Sequence, residues 1–229
     1  MTNRYQEPPT YKARTSEIIN ALCSERQWLP LLDQQKKAYQ PLLDFFIGGG
    51  LEFDTTKQLA SHLGLSPSKV TKWINMIYED IWNLNEQQPT SFYQPDCKPV
   101  EVHFQGSFYG PGRLFTLYLP ILPNYGDSFN WLFILPKLGS SYFYVESIHH
   151  YYEQGELKTS LHLQEGMFNR YRHHLLDKAD FHELLSFDER YYLSKYRLDD
   201  LLRERTKDPS DYPYLRSEAT NSHFKKRKF

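Results

Sequence analysis

Eight polar side chains lie within twenty residues of this 229-residue chain: Thr56, Lys57 and Gln58, then Ser68, Lys69, Thr71, Lys72 and Asn75. Ammonium groups neutralise anionic oxygens, while hydroxyls and carboxamides bond either those oxygens or the polar edges of heteroaromatic rings. A helix opening at Thr56 adds free backbone amides and the positive end of its dipole, which also favour an anion. Glu79 and Asp80 would repel the same anion, so contact should fade beyond Met76.

A second chemistry is suggested by histidine. Seven of the nine fall between His103 and His182. Zinc or a hydrolytic metal needs three or four ligands meeting at one point. If residues 144–163 form a hairpin turning at Gln154-Gly155, Ser147 pairs with His162 and His149 lies diagonally across from His162, about 7–8 Å away. His150 then faces the other side. His149 and His162, with His173 from the next helix, are the candidate ligands. Two across one hairpin fall short of the three a catalytic zinc keeps, and no HExxH or paired CxxC accompanies them. No metal and no other cofactor is therefore expected. Cys23 and Cys97 stand at no metal-ligand spacing, and neither a GxSxG nor a GxxxxGK[ST] motif occurs, so no catalytic residue is expected either. Gly106, Gly110 and Gly112 read as a turn between strands.

The elements that must present the first group are legible. Leu59, Ala60 and Leu63 give one helix a buried stripe, and the small Ala60 lets a neighbour pack close. Gly64 supplies the left-handed residue that ends this helix. Ser66 is a good N-cap and Pro67 suits the first helical position of the next. Val70, Trp73, Ile74 and Ile77 recur on a helical period, which predicts a second helix over 66–84. Two helices joined by a tight turn make a helix-turn-helix, whose second helix enters the DNA major groove.

Charge and composition bound the rest. The net charge is −1, so any polyanion contact must be local. Residues 1–85 hold 9 basic and 9 acidic residues, residues 86–166 hold 4 and 8, and residues 167–229 hold 14 and 11. With 18 Tyr and 15 Phe, the chain has apolar material for a core. Its opening residues lack an apolar leader and no run suffices to span a bilayer, so a cytoplasmic protein with no membrane partner is expected.

Along the chain, 1–14 read as a flexible tail and 15–85 as a helical domain, with Pro41 breaking its second helical stretch. Residues 86–99 carry three prolines and read as a linker. Residues 100–208 read as an α+β domain of unknown role: strands at Val102, Phe104, 114–119, 131–135 and 142–163, then helices. Ser186 and Glu189 form a capping box opening a helix to about Arg205. Residues 209–229 are a polar, basic tail. The fold class is therefore α+β, with a helical helix-turn-helix domain followed by a small antiparallel sheet or partly closed barrel and C-terminal helices.

Residues 56–75 resemble the helix-turn-helix of bacterial and phage regulators in the spacing of Ala60, Gly64, Val70 and Trp73. The resemblance implies groove-facing positions at Lys69, Thr71 and Lys72. It covers under a tenth of the chain, and residues 100–229 resemble no family. The expectation is a DNA-binding protein, a transcriptional regulator or mobile-element accessory protein, with duplex DNA and a second copy of itself as partners. The alternatives are a metal- or histidine-dependent nuclease or toxin using residues 149–182, and a protein-interaction adaptor without nucleic acid.

Overall fold

Helix α4 (Pro67–Gln87) buries Val70, Trp73, Ile74, Ile77, Tyr78, Ile81, Trp82 and Asn85 along its whole length, and the first part of the chain is organised around it. The computed structural model describes residues 11–35, 37–49, 55–106, 112–193 and 195–205. Most of the expected N-terminal tail and all of the 209–229 tail lie outside these residues. Before α4 come α1 (Thr15–Ser24), a 3-10 helix (Arg26–Gln35), α2 (Gln40–Ile47) and α3 (Thr56–His62). Pro41 sits in the first turn of α2, so it opens this helix instead of breaking a longer one. Proline's fixed φ suits that turn, where its missing N–H has no partner to lose.

Beyond α4 the chain builds a curled half-barrel of five strands. They are β1 (Lys98–Gln105), β2 (Arg113–Leu119), β3 (Ser128–Asn130), β4 (Tyr142–Glu153) and β5 (Glu156–Glu165), in the order β2-β1-β5-β4-β3. The pairings are antiparallel except β1 with β5, which is parallel, so the sheet is mixed and not purely antiparallel. Alternate residues point inward: Val100, Val102, Phe104, Phe115, Leu117, Phe143, Val145, Leu161 and Leu163 are all buried.

Residues 131–135, expected as a strand, instead form a 3-10 turn (Leu132–Ile134) running into the short helix α5 (Leu135–Leu138). A short apolar run bounded by turn residues is ambiguous between strand and buried helix. Here Pro136 starts the helix and Gly139, at φ 74°, ends it. Phe133, Ile134 and Leu138 then face the core.

The expected division at 86–99 is also corrected. The chain separates into two compact units after Phe168. Helices and sheet of the first unit share one hydrophobic core, reaching from Ile18 to Leu163. The supposed linker contains a 3-10 turn (Pro89–Phe92) whose Phe92 is buried. Its ring meets Trp28 at 5.1 Å and Phe115 at 5.9 Å, edge to face. Trp82 and Phe133 stack at 5.9 Å in the same cluster. Each such side chain stabilises the fold by about 2–3 kcal/mol through burial alone.

The second unit holds α6 (Arg170–Phe181), α7 (Phe187–Tyr192) and α8 (Lys195–Arg205). Leu175, Leu176 and Ala179 of α6 pack with Leu198 and Leu202 of α8. The Ser186–Glu189 capping box opens α7 as expected. The helix does not run on to Arg205, because Leu193 is extended (φ −77°, ψ 146°) and the chain restarts as α8. Arg205 ties the two together, donating to both Glu189 carboxylate oxygens at 2.7 Å and to the Leu184 carbonyl at 2.6 Å. These bonds hold the Glu189 carboxyl well below the usual carboxylate range, at about 2.

Candidate nucleic-acid interface

Helices α3 and α4 are joined by four residues, Leu63 to Ser66. Gly64 has φ 64°, and the Leu65 N–H donates to the Ala60 carbonyl at 2.9 Å, closing the end of α3. Ala60 and Val70 are fully buried, which draws the two helices together at that corner. Both helix starts are capped. Thr55 Oγ1 accepts from the Gln58 N–H at 3.2 Å, and Ser66 Oγ accepts from the Lys69 N–H at 3.4 Å.

This scaffold leaves Lys57, Gln58, Ser68, Lys69, Lys72 and Asn75 exposed, with Thr56 and Thr71 half-buried. On α4, Ser68, Lys72 and Asn75 continue into Glu79 and Asn83 as one exposed stripe. Two of the expected contacts are engaged locally. Gln58 Oε1 accepts from the Thr55 hydroxyl, and Asn75 Nδ2 donates to the Thr71 carbonyl at 2.7 Å. Lys69 Nζ lies 4.7 Å from the centre of the Trp73 ring, a cation–π contact that holds its stem against the helix. Lys57, Lys69 and Lys72 form no ion pair among the described residues, and residues 55–76 contain no Asp or Glu. Glu79 and Asp80 do not stand as bare repulsive charges. Lys137 meets Glu79 at 2.6 Å, and Lys37 and the Tyr39 hydroxyl meet Asp80 at 2.7 and 2.5 Å.

The histidines fall differently. Ser147 pairs with His162 across the β4–β5 hairpin, which turns at Gln154-Gly155 as the sequence suggests. A bulge at Glu146 then shifts the register beyond this pair. Val145 pairs with Leu163 and Ser147 with His162, so one extra residue on β4 switches which side chains face outward. His149 then meets His162 with ring centres 4.9 Å apart, and Ser147 Oγ bonds His149 Nε2 at 3.0 Å. His150, on the other side, bonds Thr159 Oγ1 at 3.0 Å. His103 was not expected here. The parallel pairing of β1 and β5 stacks it on His162 at 4.5 Å. No local signal reveals this, since β1 and β5 become neighbours only through three intervening strands. Burial, followed by the proximity of His103 and His149, pushes the His162 imidazole below its usual value. His173 belongs to α6, in the second unit. Among the described residues, no group of three or more His, Cys, Asp or Glu is disposed to hold a metal ion.

No family model, curated protein or solved structure matches this chain. Among the described residues, no helix is long and apolar enough to cross a membrane.

Proposed function

We propose that this protein binds duplex DNA through the α3–α4 surface, with the first three turns of α4 in the major groove, as a transcriptional regulator or mobile-element accessory protein. The observation that carries this reading is the exposed, acid-free cationic edge formed by Lys57, Lys69 and Lys72 around a capped turn. Lys57 at the start of α3 suits a backbone phosphate, where helix amides add to its charge. Ser68, Lys69 and Lys72 occupy the N-terminal part of α4, the part that meets base edges when such a helix docks. The first helix would set orientation through phosphates, and the second would read sequence.

Fluorescence anisotropy with labelled duplexes over a salt series tests it. Three phosphate contacts give a slope of log affinity against log salt of about −3. Lys69→Ala with Lys72→Ala should weaken binding and flatten the slope to about −1, with circular dichroism unchanged. Failure of the wild-type chain to bind any duplex at low salt would refute the reading.

A further inference from the structure

A second site lies elsewhere in the first unit, between the end of α1 and the sheet. A cleft of about 210 Å³ is lined by residues that include Glu25, Gln27, Trp28, Phe92, Tyr118 and Trp131. It has room for a small organic group, and is smaller than the usual pocket for a drug-sized molecule.

Its chemistry is one-sided. Among the described residues, Glu25 is the only charged one of the lining, which contains no Lys, Arg or His. The carboxylate makes only neutral contacts: Trp131 Nε1 donates to Oε1 and Gln27 Nε2 to Oε2, each at 2.7 Å. Glu25 forms no ion pair among the described residues. Burial pushes its carboxyl above the usual carboxylate range, against the pull of those two donors. A part-buried anion without a counter-charge is costly, and a cation brought beside it recovers that cost. The walls suit such a cation. Trp28, Phe92 and Trp131 are at least nine-tenths buried, and indole and phenyl rings attract positive charge.

We infer that the cleft binds a small organic cation, an alkylammonium, with Glu25 as its counter-charge and Trp28 and Trp131 as its aromatic walls. Occupancy would bridge the end of α1 to β2 and the Trp131 segment. It does not depend on what the α3–α4 surface binds.

The experiment uses the full chain and choline chloride as probe, read by calorimetry and by the fluorescence of the indoles in the cleft, against sodium chloride at equal ionic strength. Choline should bind saturably. Its uncharged isostere, 3,3-dimethylbutan-1-ol, should bind at least roughly tenfold more weakly, as expected for loss of a close charge partner in a part-buried site. Glu25→Gln keeps an oxygen for Trp131 and should lose choline by a similar factor, while thermal unfolding shows the variant folded. Should Glu25→Gln fail to fold, Phe92→Leu, which shrinks the aromatic wall, must still lower choline affinity. Equal binding of the cation and the alcohol, undiminished choline binding by folded Glu25→Gln, or no response to choline at millimolar concentration would each overturn the proposal.

Discussion

Asn85 and Thr116 exchange two hydrogen bonds: Asn85 Nδ2 donates to the Thr116 carbonyl, and the Thr116 N–H donates to Asn85 Oδ1, both at 2.8 Å. Thr116 lies in β2, an outer strand of the sheet. The carboxamide of a buried helical residue therefore occupies the place a sixth strand would take, satisfying an edge that would otherwise invite pairing with another chain. Asn85→Leu keeps a similar volume but leaves both Thr116 groups bare in a buried setting. It should lower stability by about 2–4 kcal/mol. Asn85→Asp should be no milder, because a carboxylate cannot donate to the carbonyl. Urea midpoints of the two variants check this; a loss below about 0.5 kcal/mol for Asn85→Leu would show the pair to be dispensable.

Phe92 tests the single core of the first unit. In a solvated linker its truncation would cost almost nothing. Packed against Trp28 and Phe115, it should cost about 3–5 kcal/mol in Phe92→Ala. Helix and sheet should lose structure together, so far-ultraviolet circular dichroism and tryptophan fluorescence should give coincident unfolding curves for wild type up to Phe168. Two separated transitions would restore a boundary at 86–99.

Gly64 isolates a backbone effect. A Cβ there would meet nothing within 4 Å, so sterics with neighbours play no part, yet φ is +64°. Gly64→Ala should cost about 1–2 kcal/mol from the left-handed conformation alone, and Gly64→Asn less. Thermal denaturation separates the two. At Gly112 a Cβ would come within 2.9 Å of the Phe104 carbonyl oxygen, so Gly112→Ala should cost more than Gly64→Ala.

His162 predicts the sign of a pH effect. Its folded value lies below the ordinary one, through burial and through His103 and His149. The folded state thus binds fewer protons than the unfolded chain. Its stabilising contribution is full above the unfolded value of about 6.5 and is lost as pH falls through the lower folded value. Stability measured at pH 7.5 and pH 5 should drop, and the drop should shrink in His162→Gln. A drop of equal size in that variant would remove His162 as its source.

The α3–α4 pair was legible because its determinants are local: a small residue, a left-handed glycine and an Ser-Pro cap all fall within twenty residues. The β4–β5 hairpin was legible for the same reason, its register following from one turn. The strand reading of 131–135 failed because Phe133 and Ile134 are apolar in either conformation, and only packing against Trp82 and Tyr78 decides between them. The division of the chain failed because proline content at 89–99 marks irregular backbone, not solvent exposure, and Phe92 shows the difference. His103, Glu25 and Trp131 reach their partners across long stretches of sequence. Nothing near them in the chain announces where they end up.

The bulge at Glu146 gives β4 one residue to spare. Many side chains could stand at position 146, since the residue's role is to be one too many. Losing it would close the ladder with Val145 still beside Leu163, Ser147 beside His162 and Ile148 beside Leu161. A deletion nearer the hairpin tip would have to draw on the same spare residue, turning over the side chains in between. Of all single-codon losses along this strand, the one at the bulge is therefore the mildest.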